Sequence, residues 1–202
     1  MKYLLLTACL ALATNVVVAA DQKPAEVDAP LPEGWPEPTQ PGVIEVKEIP
    51  AYRSAIATTE GDANRADSKL FWQLFTHIKV NQIAMTAPVI STYPTDEEAD
   101  RPARMEFLYR RLSQGEAGDG VGAVRVEDHP AETVVTLGIQ GGVEQNIYED
   151  GIAKLRAWLK DHPQWEATGT PRRLGYHGPM TPKAQRLWEV QIPIKPLKSE
   201  AK

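Results

Sequence analysis

Cysteine is almost missing from this chain: Cys9 is the only one among 202 residues. That excludes a disulfide framework, a multi-cysteine metal site and the paired cysteines of c-type haem attachment. Histidine is scarce too, at four residues (His77, His129, His162 and His177), and none stands in an HExxH-type arrangement. No nucleophile elbow, Ser-His-Asp pattern or phosphate loop is visible. Gly118-Asp119-Gly120-Val121-Gly122 is not a dinucleotide fingerprint, because a strand rather than a helix is predicted after it. The formal net charge is -5, with no basic stripe, which argues against nucleic acid or an anionic membrane as partner.

What is present begins with a leader. Met1 and Lys2 precede an apolar run from Tyr3 to Ala13, and Val16 to Ala20 ends in small residues ahead of Asp21. A basic start, a short apolar core and a small-residue end describe a secretory signal peptide, residues 1–20, cleaved after Ala20. Thr14 and Asn15 interrupt a run already short for the roughly 20 residues of a membrane span, so no stable insertion is expected after cleavage. The expected location is the periplasm or the exterior. The alternative is a lipoprotein anchored at Cys9, since Leu6-Thr7-Ala8-Cys9 fits that pattern. Residues 21–42 carry prolines at 24, 30, 32, 36, 38 and 41 and read as an extended, solvated arm. Trp35 is its exception, and packing back on the domain is the simpler expectation. Residues 43–196 form one domain and 197–202 a disordered tail. A hydrophobic content of 42% suffices for a core.

The domain repeats itself. Glu45-Val46-Lys47-Glu48-Ile49-Pro50-Ala51 aligns with Arg125-Val126-Glu127-Asp128-His129-Pro130-Ala131, and each is followed by a β-prone stretch, a glycine turn and an amphipathic helix. The first helix is predicted over 64–80, with Leu70, Phe71, Leu74, Phe75 and Ile78 on one face and Asn81 at its end. The second is predicted from a capping box at Asn146, with Tyr148, Ile152, Leu155 and Leu159 buried and Pro163 as its stop. Further strands are predicted over 83–93, 104–110, 170–176 and 187–194. In them Met105, Phe107 and Tyr109, then Trp188, Val190, Ile192 and Ile194, alternate inward. The expected fold is α+β: a distorted eight-stranded antiparallel β-barrel from two pseudo-twofold ββαββ repeats, with two helices packed outside. The segments 94–103 and 113–122 are expected to be mobile loops.

A helix followed by Ile83-Ala84-Met85-Thr86-Ala87-Pro88-Val89 resembles the SOUL haem-binding protein family, as do Tyr176-His177-Gly178-Pro179-Met180-Thr181-Pro182 and the closing strand around Glu189-Val190. The family's fold, a distorted barrel built by duplication, agrees with the repeat. The resemblance implies a non-enzymatic carrier or scavenger of haem or another tetrapyrrole, held non-covalently in a shallow groove between the first helix and the loop before the last strand. On this chain the groove would use Trp72, Phe75, Lys79, His177, Met180 and Lys183. Aromatic faces and a pliable thioether suit a flat apolar ligand, and cations suit its carboxylates. His77 or His177 is the candidate haem-iron ligand, and the resemblance leaves open whether either histidine ligates iron.

Two alternatives stay open, one of them an envelope scaffold that binds another protein through Trp35 and the proline-rich arm. The barrel also resembles bacterial effector-binding domains that capture organic cations on a buried glutamate, some of whose relatives are hydrolytic. Glu106 and Glu189 fall on corresponding strands and could bind or hydrolyse a small organic molecule. Their alternation with apolar neighbours favours instead a solvated polar face.

Overall fold

The structure is a computed structural model that describes residues 26–59, 63–94 and 102–197. The leader, Cys9, the glycine turn at 60–62, most of the loop at 94–103 and the tail beyond Leu197 lie outside the described residues.

Among the described residues ten strands form one sheet. They are β1 (Ile44–Ile49), β2 (Tyr52–Thr59), β3 (Val89–Thr92), β4 (Ala103–Leu108), β5 (Gly118–Asp119), β6 (Arg125–His129), β7 (Glu132–Gln140), β8 (Trp165–Ala167), β9 (Arg172–Gly175) and β10 (Leu187–Pro196). Their order is β1-β7-β10-β9-β3-β4-β2-β6-β5, with β8 on the far end of β10, and every ladder is antiparallel. The expected closed eight-stranded barrel is therefore corrected to an open sheet. Closure would need β1 to meet β6, but the free side of β6 is taken by β5. Setting β1 against β6, β2 against β7, β3 against β9 and β4 against β10 makes the order of those eight strands read alike from either end.

Helices α1 (Ala63–Val80) and α2 (Gln145–Asp161) cover one face, α1 over β2 and β4, α2 over β10 and β7. The apolar stripes predict this: Leu70, Leu74 and Ile78 join Tyr148, Ile152 and Leu155 in one core with the inward strand residues. Asn81 does end α1, its Nδ2 donating to His77 O at 2.8 Å, and Gln82 takes the left-handed turn at φ 54°. The capping box at Asn146 is not formed. The cap position belongs to Glu144, which makes no capping bond and instead pairs with Lys183. Gly151 is needed where α2 rides on the sheet, since a Cβ there would lie 2.7 Å from Val190 Cγ2.

The run Ile83 to Pro88 is not a strand. Its backbone bonds elsewhere: Ile83 N–H to Ile78 O at 2.8 Å and Ala87 N–H to Pro30 O at 3.2 Å. The Ala87–Pro88 peptide is cis, and pairing begins only at Val89. The strand predicted over 170–176 shortens to Arg172–Gly175, and Gly118–Asp119, inside the expected 113–122 loop, is paired.

The opposite face is covered by the proline-rich arm. Val27, Ala29, Leu31 and Trp35 pack on Tyr52, Ile90, Leu108, Leu174 and Tyr176, with Trp35 edge-on to Tyr52 at 5.3 Å. Arm and sheet share backbone bonds from Asp28 N–H to Tyr176 O and from Glu33 N–H to Arg110 O. The absent side chain of Gly138 lets the arm in: a Cβ there would sit 2.3 Å from Thr39 O. An arm expected to be solvated is thus a layer of the fold.

Candidate functional site

The outer side of α1 carries an aromatic ladder that begins in the core. Phe71 meets Phe107 at 5.2 Å and stacks on Phe75 at 5.8 Å, and Trp72 stands edge-on to Phe75 at 5.6 Å. Leu70 and Leu74 take the buried stripe, so Trp72 points away from the sheet and remains 62% exposed. Beside it is a hollow of about 490 Å³, with Lys69, Trp72, Gln73 and Thr76 of α1 on one side and residues 121–123 on the other. The Lys79 ammonium lies 5.3 Å from the Phe75 ring centre, so Trp72, Phe75 and Lys79 form one group.

His77, on the inner flank of α1, is only 3% exposed. Its Nδ1 accepts the Val121 N–H at 3.1 Å, so in the neutral ring Nε2 carries the proton and donates to Tyr109 Oη at 2.8 Å. Burial holds this imidazole below the ordinary histidine range. His77, Asn81, Tyr109, Gly120 and Val121 border a second hollow of about 480 Å³, divided from the first by the 120–123 segment.

The other predicted residues lie in the loop between β9 and β10. His177 Nδ1 accepts the Leu187 N–H at 2.9 Å, and Nε2 is 3.1 Å from Glu26 O. Met180 is 92% exposed, and Lys183 binds Glu144 at the start of α2. The polar contacts described for this group run to the arm, the start of β10 and the start of α2, while those of Trp72, Phe75 and Lys79 stay on α1. In neither His77 nor His177 is a ring nitrogen left without a nearby partner. Of the other two histidines, His162 stacks on Trp158 at 3.7 Å and His129 on Tyr52 at 4.4 Å.

Sequence reasoning undervalued the arm-covered face. Glu106, Ile90, Leu174 and Glu189 lie in one row across β4, β3, β9 and β10. Alternation puts the carboxylates opposite the helices, as expected, but they are not solvated: Glu189 is 0% and Glu106 5% exposed. Glu189 Oε1 accepts from Thr39 N–H at 2.5 Å and Lys47 Nζ at 2.9 Å, and Oε2 from Tyr176 Oη and Gln191 Nε2, each at 3.0 Å. Glu106 takes Arg104 Nε at 3.0 Å and Ser54 Oγ at 2.8 Å, with His129 Nε2 at 3.5 Å. Burial raises the Tyr176 hydroxyl well above its ordinary range, with the Glu189 charge adding to the effect. Lys47 and Tyr176 were the available sequence signals, but neither reveals what covers the sheet.

The profile of the SOUL heme-binding proteins matches residues 37–193. The chain belongs to the SOUL heme-binding protein family. SOUL membership brings haem or a related tetrapyrrole as the family ligand, and this member holds the α1 ladder, both hollows and both buried carboxylates inside the matched region. No curated protein matches the chain. Among solved structures it is similar to the EcmrR C-terminal domain, at 18% identity and a TM-score of 0.63, over 77% of this chain and 98% of that one. It is also similar to EcmrR in its complex with DNA (18%, TM-score 0.62), where this chain spans 58% of the EcmrR length. A hydrolase from Listeria innocua matches at 11% identity and a TM-score of 0.56, over 78% of this chain and 94% of that one. At such identities the likeness is one of fold alone.

Proposed function

We propose that this SOUL protein is an exported carrier or scavenger that binds haem or a related tetrapyrrole against the outer side of α1. The observation that carries the reading is Trp72, a large aromatic left exposed beside a hollow of about 490 Å³. An open hollow of this size with one large aromatic side chain on its wall suits a flat ligand covered on one face. Trp72 and Phe75 would meet the macrocycle, and Lys69 and Lys79 its carboxylates through charge-assisted hydrogen bonds. These residues fit the flat, anionic part of the ligand. The iron is served less well, because His77 and His177 are both engaged within the protein. Binding would rest on apolar contact and ion pairs, with weak selectivity for the metal. His177, Met180 and Lys183 form a second candidate group, to be tested beside the first. The leader sequence supports action in the periplasm or outside the cell. The palindromic strand order supports descent from two ββαββ units.

Haemin titration of the mature chain tests the site. Trp72→Ala with Phe75→Ala should weaken binding by about tenfold or more, as loss of aromatic anchors does. Unchanged affinity would remove the site from α1, and the Met180→Ala, Lys183→Ala pair would then show whether it lies on the β9–β10 loop.

A second reading is favoured by the burial of Glu106 and Glu189. On that reading the arm-covered face binds, or hydrolyses, a small organic cation. Lys47 already occupies Glu189, so a ligand must displace it and lift the arm. Thermal shifts with a panel of organic ammonium ions decide this: a shift abolished by Glu189→Gln or Glu106→Gln supports it, and none in the unmodified chain ends it.

A further inference from the structure

The two hollows beside α1 share one partition, and among the described residues one hydrogen bond ties it to the helix. After the short edge strand β5, residues 120–123 cross the side of α1, with Gly118 at φ 134° before the crossing and Gly122 at φ 67° within it. Non-glycine residues adopt such angles rarely, so the path is set by glycine. Gly120 N–H bonds to Val124 O at 2.8 Å, tightening the turn on itself. Its link to the helix is the Val121 N–H on His77 Nδ1. Gly120 lies flat on that ring: a Cβ there would meet the ring at 3.0 Å and Val124 O at 2.9 Å. The His77 ring is set in turn by its bond to Tyr109 Oη at the end of β4.

Val121 borders both hollows, and residues 121–123 are the wall facing Trp72 across the larger one. The width of the Trp72 hollow therefore depends on where this segment is held. We propose that His77 is the positioning residue of the Trp72 site: its Nδ1, accepting the Val121 N–H, holds the 121–123 wall at the distance from Trp72 that the ligand needs. The assignment rests on the reading that haem or a related tetrapyrrole binds at Trp72. It gives His77 a role other than iron ligation, with Nδ1 committed to the wall and Nε2 to Tyr109.

Two measurements on the mature chain separate this proposal from the reading beneath it. The first is amide exchange at Val121 without ligand; the second is the haemin dissociation constant. His77→Asn sets a carbonyl acceptor near the place of Nδ1, whereas His77→Leu keeps bulk and loses the acceptor. Exchange at Val121 should quicken in His77→Leu and stay near the unmodified rate in His77→Asn. Haemin affinity should fall about five- to tenfold in His77→Leu, the size of one lost buried hydrogen bond, and be largely restored in His77→Asn. Should His77→Leu not fold, Gly120→Ala replaces it, because the added methyl would lie 3.0 Å from the His77 ring and 2.9 Å from Val124 O and so pushes the wall off the ring. Faster Val121 exchange with unaltered haemin affinity would overturn the positioning role and leave the Trp72 site standing. Unaltered exchange in the variant would overturn the fastening itself. If the unmodified chain binds no haemin, the reading beneath fails, and the proposal with it, even where the exchange result holds.

Discussion

Glu189, in the last strand, accepts the backbone N–H of Thr39 at 2.5 Å across 150 residues of sequence, with the Lys47 ammonium on the same oxygen at 2.9 Å. This contact joins the arm, the first strand and the last strand. It also closes the face on which the two carboxylates lie.

A buried ion pair of this kind is costly to break from one side. Removing the cation alone, as in Lys47→Met, should cost about 3–5 kcal/mol in urea unfolding, because a buried charge loses its partner. The double variant Lys47→Met, Glu189→Leu should recover a large part of that loss. A double variant no better than the single one would show that the hydrogen bonds, not the charge, hold this region.

Gly138 offers an independent handle on the arm. Gly138→Ala would place a methyl 2.3 Å from Thr39 O and 2.4 Å from Gln40 O, both backbone atoms that cannot swing aside. The arm should lift, and Trp35 fluorescence should shift toward the solvent-exposed range while the helix signal in circular dichroism is kept. An unshifted tryptophan spectrum contradicts the described seating of the arm.

On α1, neighbouring positions should separate binding from stability. Leu74 is fully buried, so Leu74→Ala should cost about 2–5 kcal/mol. Trp72→Ala, two residues away on the exposed side, should stay within about 1 kcal/mol while reducing haemin affinity. Comparable destabilisation by both would mean that Trp72 belongs to the core.

Acid should weaken the fold through two imidazoles. His77 and His129 are both held below the ordinary range by burial, although the Glu106 charge pulls His129 partly back. The unfolded chain takes up these protons near the ordinary value of about 6.5, before the native state does. Their contribution is therefore complete above about pH 6.5 and drains away as pH falls through the lower native values. The urea midpoint should drop between pH 7 and pH 5, and less steeply in a His77→Asn, His129→Gln double variant. Equal slopes in the two proteins would mean that other groups set the acid response.

Much of this architecture was legible in the chain, for definite reasons. Leu70, Leu74 and Ile78, like Tyr148, Ile152 and Leu155, recur at helical spacing because the face they form is buried. Trp188, Val190, Ile192 and Ile194 alternate because β10 has a helix-covered side. What failed depended on distant partners. Ile83 to Pro88 is apolar enough for a strand, yet its backbone bonds go to the end of α1 and to the arm. Barrel closure could not be judged, since two-residue β5, which takes the edge of β6, leaves almost no periodic signal. Alternation puts Glu189 on its correct side of the strand but says nothing of its surroundings, because the covering layer comes from residues 26–41. At the candidate site, Trp72 stood out by its angle on the helix. The link from His77 to Val121 joins residues 44 apart in sequence and has no local signature.

The strand order bears on how the molecule can come apart. β1 sits beside β7 and β6 beside β2, so each half of the chain lends its opening strand to the other. A break near residue 123 would not release two small domains. It would leave two fragments, each with a bare ladder where the exchanged strand belongs, and only their reassociation would restore the sheet.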